Sequence, residues 1–224
     1  GFCLLGIFSF TQEGVTGGML QMISHGISTG MLFLMIGMVY ERARTREISE
    51  FGGLATQMPI FATFFLIAVL SSIGLPGTNG FVGEFLILIG AVKANVWIGG
   101  VASLGVIFGA LYLLWFVKRF LFGMNKTIQA KPYKDLSFRE IGILSPLVVF
   151  IFWIGIYPKP FLEILEPSSR VFLNQASVSV IAERKTSGLT SEISSTKQEF
   201  RDYVSLGKIP VSFEERLGKY VSPY

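Results

Sequence analysis

The chain has 224 residues, of which 51% are hydrophobic, only 15% are charged and 21 are phenylalanine, with a mean hydropathy of +0.58. That balance excludes an ordinary soluble domain, and a single cysteine, Cys3, excludes a disulfide framework. The net charge of +4 does not mark a nucleic-acid binder, because the basic residues fall in the connections between apolar runs, where membrane topology signals belong.

Residues 14–40, 51–83, 94–117 and 141–158 contain no Asp, Glu, Lys or Arg. A spanning helix needs about 20 mainly apolar residues to cross roughly 30 Å of hydrocarbon. Residues 1–10 read as the tail of a span that begins upstream, since they lack the basic region and cleavage site of a signal peptide. Thr11–Gly18 reads as a turn carrying Glu13, and the next span as Gly18–Tyr40. Glu41–Glu50 is a charged loop with Arg42, Arg44 and Arg46. Met58–Val92 is too long for one straight helix and is interrupted by Gly74-Leu75-Pro76-Gly77-Thr78-Asn79-Gly80. The spacing then predicts spans over Val96–Phe122 and Ile141–Leu165, joined by a basic loop with Lys126, Lys131 and Lys134. Beyond Pro167 the composition turns to Ser, Thr and balanced charge, so residues 1–166 form the membrane region and 167–224 a polar tail, disordered alone or docked on a neighbour. The expected fold is an all-α polytopic membrane protein, with about four transmembrane helices plus the end of another, one of them broken.

Nine of the eleven basic residues before the tail (Arg42, Arg44, Arg46, Lys118, Arg119, Lys126, Lys131, Lys134 and Arg139) flank two loops on one side. Only Lys93 and Lys159 lie opposite. Basic loops face the cytoplasm or the mitochondrial matrix, which puts the tail outside. Glu13, Lys93 and Lys159 read as solvated interface charges, and Trp97, Trp153 and Tyr157 as an aromatic belt.

Glu84 is the most informative residue. An ionisable group within an apolar run is costly and marks a candidate proton or ion pathway. It follows a break in which Pro76 lacks a donor and Gly74, Gly77, Gly80 and Gly83 permit unwinding. Broken helices line transporter sites, because irregular backbone at membrane depth survives only where protein or water satisfies it. A helix restarting at Asn79 or Gly80 sets Glu84 close to a half-helix N-terminus, whose dipole favours an anion. His25, the single histidine, lies inside a span with Gln21, Ser28 and Thr29 on its face; proton relay and simple packing both fit it. Gly26, Gly30 and Gly37 on another face suggest close helix packing. The chain carries no Cys cluster, metal-ligand spacing or phosphate loop.

The strings MISHGISTGMLFLMIGMVYERARTREISEFGGL (Met22–Leu54) and SSIGLPGTNGFVGEFLIL (Ser71–Leu88) resemble the antiporter-like membrane subunits of proton-translocating NADH–quinone oxidoreductase, complex I. Within them the likeness is to the chain M group, homologous to mitochondrial subunit 4, and covers about residues 1–165. Related cation/proton antiporter subunits usually carry a lysine shortly after the histidine and often one in place of the glutamate, positions that are apolar or Gly and Glu84 here.

The resemblance implies inverted helix repeats, of which this chain would hold the end of span ten and spans eleven to fourteen. His25 would lie on a central hydrophilic axis, and Glu84 would be the broken-helix glutamate that exchanges protons with the outside. The family's other ionisable groups lie upstream, so the sequence is expected to be part of a longer subunit. The expected function is proton relay in an integral membrane subunit of a bacterial plasma membrane or mitochondrial inner membrane, driven by quinone reduction elsewhere. NADH, flavin, iron–sulfur and quinone sites are expected in other subunits and none in this chain. Partners would be the other complex I membrane subunits, the upstream half and the bilayer, with no nucleic acid. The alternatives are a subunit of a multi-subunit cation/proton antiporter and a non-transporting scaffold remnant.

Overall fold

The computed structural model describes residues 1–123 and 133–177, together with Gln198. Lys126, Lys131 and the tail beyond 177 apart from Gln198 lie outside the described residues. Two compact units divide the chain, Gly1–Leu173 and Asn174–Tyr224, and the description below concerns the first.

Among the described residues the fold is helical and contains no strand. Helix α1 is Phe2–Phe8, α2 Gln12–Ala43, α3 Leu54–Gln57, α4 Pro59–Ser72, α5 Asn79–Ala94, α6 Val96–Phe122 and α7 Phe138–Ile156, with a 3₁₀ turn at Ile48–Glu50 before α3. A further helix, α8, begins at 159 and runs to the end of this unit at Leu173. Helices α2, α6 and α7 are long and apolar enough to cross a membrane, and the chain is an integral membrane protein. At 14 and 16 residues, α4 and α5 each reach only about 21–24 Å. Each is too short to cross the apolar layer alone, and the turn at residues 73–78 joins them.

Two boundaries differ from the sequence reading. Helix α2 begins at Gln12 rather than Gly18, because Thr11 caps it by accepting from the Gly14 N–H at 3.1 Å. The reversal from α1 is made at Phe10, which takes φ +50°. The last span ends at Ile156 rather than Leu165. Pro158 disfavours helical backbone at the residue before it, and Tyr157 sits at φ −130°, ψ 71°. The sequence marks this break with Pro158, Lys159 and Pro160, across which the expected span was drawn because Phe161–Leu165 is again mostly apolar.

Glycines set the helix spacing, but not those expected. A Cβ on Gly26, Gly30 or Gly37 would meet nothing within 4 Å. The close approach lies between α2 and α5. A Cβ on Gly17 would stand 2.6 Å from the Leu86 Cβ, and one on Gly90 would stand 2.5 Å from the Gly14 Cα. Lipid tails are as apolar as leucine, so contact between such small residues is what holds membrane helices together.

One end of the bundle is fastened by polar contacts. The Asp135 carboxylate accepts from the N–H groups of Ile60 at 2.8 Å and Phe61 at 3.0 Å, supplying α4 with the cap its own sequence lacks. Arg42 forks onto Glu140 with both guanidinium nitrogens at 2.8 Å, and its Nε donates to the Lys134 carbonyl at 2.9 Å. Glu140 in turn completes a capping box with Ser137. Beneath this layer Phe51, Phe61, Phe65, Phe116 and Phe120 pack ring on ring. At the other end Lys93 is ion-paired with Glu13, both partly exposed, where the sequence suggested two solvated charges. There α8 is tied back to α2: the fully buried Ser169 hydroxyl accepts from Thr16 Oγ1 at 2.9 Å and from Gln12 Nε2 at 2.5 Å.

Candidate functional site: a cavity beside a broken helix

The break between α4 and α5 is built as an ordered turn. Gly74 and Gly77 take φ +79° and +92°, a left-handed backbone that L side chains rarely adopt. Several of the turn's donors are met locally: Leu75 N–H donates to the Leu70 carbonyl of α4 at 3.0 Å, and Thr78 N–H to the Leu75 carbonyl at 3.0 Å. Pro76 has no donor to satisfy. Gly80 serves differently, because a Cβ there would collide with the Ser71 carbonyl.

Asn79 joins this turn to α2. Its Nδ2 donates to the Ser24 carbonyl at 3.1 Å, and the Ser24 hydroxyl donates to the Asn79 carbonyl at 3.1 Å. Its Oδ1 accepts from Ser71, and the Ser71 and Ser28 hydroxyls share a 2.6 Å hydrogen bond. Asn79, Ser24 and Ser71 are fully buried and Ser28 nearly so. Buried polar groups at membrane depth must find protein partners, and this cluster supplies them. Sequence reading noted Ser28 only as a neighbour of His25 and missed Ser24, Ser71 and the side chain of Asn79. The spacing of Ser24 and Ser28 by four, on one helical face, was the available signal.

Helix α5 starts at Asn79, so Glu84 lies in its second turn rather than its first. The helix dipole acts mainly within the first turn, and the nearest support for Glu84 is a side chain instead. Gln21 on α2 donates from Nε2 to Glu84 Oε1 at 3.2 Å. The other carboxyl oxygen lies over Gly74, where a Cβ would come within 2.6 Å of it. Glu84 is half-buried, and Gln21 is 8% exposed.

His25 stands one turn along α2 from Gln21 and is exposed. Its ring nitrogens lie 3.2 and 3.3 Å from Thr29 Oγ1. The expected common face of His25, Gln21, Ser28 and Thr29 is divided in the fold. Gln21 turns to Glu84, Ser28 joins the Asn79 cluster, and Thr29 stays with the histidine. His25 and Glu84 nevertheless face one cavity of about 380 Å³, lined also by Gln21, Ser72, Gly109 and Tyr112. An imidazole and a carboxyl facing one cavity can take up and pass protons, and the Gln21 amide can donate a hydrogen bond to the carboxyl. Among the described residues no three His, Cys, Asp or Glu side chains converge on a metal-sized site.

Residues 1–109 match the family model described as NADH:quinone oxidoreductase/Mrp antiporter, TM. Over 168 residues the chain is 46% identical to NADH-quinone oxidoreductase subunit M of Rickettsia prowazekii (strain Madrid E), covering 75% of this chain and 34% of that protein. It is 43% identical over 167 residues to NADH-ubiquinone oxidoreductase chain 4 of Marchantia polymorpha, covering 75% and 34%. Among solved structures it is similar to respiratory complex I from Thermus thermophilus with bound NADH, at TM-score 0.72 and 38% identity over 78% of this chain and 36% of that one. It is also similar to the membrane-bound sulfane sulfur reductase, an archaeal respiratory membrane complex, at TM-score 0.61 and 27% identity over 66% and 24%. The chain therefore spans about a third of the length of the curated relatives it matches.

Proposed function

We propose, for a chain whose residues 1–109 match the NADH:quinone oxidoreductase/Mrp antiporter transmembrane family, that it is part of the subunit M or chain 4 membrane subunit of a proton-pumping NADH–quinone oxidoreductase. The observation that carries the reading is the single cavity, beside a broken helix, onto which both Glu84 and His25 face. Glu84 takes up and gives up the transported proton there, and His25 exchanges it along α2 through water in the cavity. The complex would be an enzyme of the translocase kind in which this chain contributes proton movement. The oxidised and reduced groups (NADH, flavin, iron–sulfur clusters and quinone) belong on this reading to other subunits.

The relay needs the remaining two thirds of the subunit, the neighbouring membrane subunits and the surrounding lipid as partners. We place the end carrying Arg42, Arg119 and Arg139 on the cytoplasmic or matrix side of a bacterial plasma membrane or mitochondrial inner membrane, by the bias of basic residues in loops. The polar segment 167–224 is read as a separate region, although its first residues, 167–173, lie in α8 within the first unit. The relatives named above favour this reading over a cation/proton antiporter subunit, which would run on sodium without NADH.

Replacement of Glu84 by Gln keeps size and hydrogen bonding and removes the titration. In the assembled complex Glu84→Gln should insert normally and lose coupled proton pumping severalfold, while Glu84→Asp retains a part. Full NADH–quinone turnover with undiminished pumping in Glu84→Gln would overturn the relay.

A further inference from the structure

The contact between α2 and α5 contains an amide that can serve the carboxyl in either of its states. We propose that Gln21 is a positioning residue that holds Glu84 both ionised and neutral, by turning its side-chain amide through half a revolution. The proposal rests on the relay reading above.

An ionised carboxylate only accepts hydrogen bonds, whereas the neutral acid also donates one from its O–H. A glutamine amide offers a donor and an acceptor at nearly the same place, and rotation about its last bond exchanges them with little change of shape. In the arrangement seen, Nε2 faces Glu84 Oε1 at 3.2 Å, which suits the ionised acid. Gln21 Oε1 is then buried with no donor from the described residues. An unmet buried acceptor is costly. When Glu84 is neutral with its proton on Oε1, the same arrangement would set that O–H against an NH₂ group. Turning the amide removes that clash of donors and gives the orphan oxygen the hydrogen bond it lacks.

The surroundings permit this and offer no rival. Among the described residues Gln21 is the one hydrogen-bond partner of the Glu84 carboxyl. His25 from α2, Cys3 from α1 and Tyr112 from α6 line the same cavity without bonding to it. Gly83 makes the room, because a Cβ there would stand 3.0 Å from both Cα and Cβ of Gln21 and nearer still to Oε1. Leucine at 21 would serve neither state, and glutamate would add a second carboxyl.

Infrared titration of the intact membrane complex containing this chain tests the proposal. The neutral Glu84 carbonyl band is identified by its loss in Glu84→Gln. In Gln21→Met, of similar volume but without a hydrogen bond, that band should move to higher wavenumber, and proton pumping should fall severalfold with KM for quinone unchanged. Gln21→Asn, whose amide is withdrawn by one methylene, should move it the same way. A third measurement leaves Gln21 intact. With ¹³C in glutamine side-chain carbonyls, the unsubstituted complex should show an amide band in the same titration that is lost in Glu84→Ala. A Glu84 band unmoved in either substituted form, or a labelled amide silent to the titration, overturns the turning amide and leaves the relay standing. A titration in which Glu84 gives no band at all overturns the relay, and this proposal with it.

Discussion

Gly74 and Gly77 separate two effects that glycine substitutions usually mix. Both residues have a left-handed backbone, so alanine at either costs about 1–2 kcal/mol of strain. Only at Gly74 does a Cβ also meet an atom of the proposed relay, at 2.6 Å from Glu84 Oε2; at Gly77 it meets nothing within 4 Å. Gly74→Ala and Gly77→Ala are therefore expected to lower unfolding stability in detergent by similar amounts, while only Gly74→Ala lowers proton pumping in the assembled complex. Equal pumping in the two variants would separate Gly74 from the site. Residues of this kind were half legible in the sequence. A carboxyl in an apolar run and glycines around Pro76 announce themselves by type alone. The partners of Glu84 and Asn79 do not, because Gln21 and Ser24 lie 63 and 55 positions away, and no local period encodes such a pairing.

At the scale of elements the same division holds. Spans with long charge-free runs, such as α6, emerge close to their expected limits, because bilayer thickness fixes their length. The bonds that fasten the helix ends together could not be read, since the loop holding Asp135 looked like a carrier of positive charge and proved to be a cap for α4. Arg42 is the centre of that fastening, with Glu140 only 15% exposed at the side chain. Arg42→Ala leaves a largely enclosed carboxylate without its partner and is expected to cost about 2–4 kcal/mol, measured as a lower unfolding midpoint of the solubilised subunit. Arg42→Lys should recover little of that loss, because an ammonium cannot fork onto both carboxylate oxygens. A midpoint within about 0.5 kcal/mol of the unsubstituted protein would reduce the pair to surface decoration.

Over the described helices the sidedness proposed above rests on where charge collects. Arg44 ends α2 at the end held by Arg42 and Glu140, whereas Lys159 begins α8 at the end where Lys93 meets Glu13. With single cysteines in intact cells or mitoplasts, a membrane-impermeant thiol reagent added outside should modify position 159 and spare position 44. Labelling at 44 alone would invert the topology.

The hydrogen bonds from Gln12 and Thr16 to Ser169 bear on how the molecule comes to be. They join groups 157 and 153 positions apart, and such long-range contacts form late, after the entropy of closing the intervening chain has been lost. During synthesis the ribosome must deliver α2 through α8 before the polar side chains at the start of α2 can meet their partner. Until then Gln12 and Thr16 keep only the 3.3 Å hydrogen bond from Gln12 Nε2 to Thr16 Oγ1, and that end of α2 gains its buried partner only once α8 has followed it.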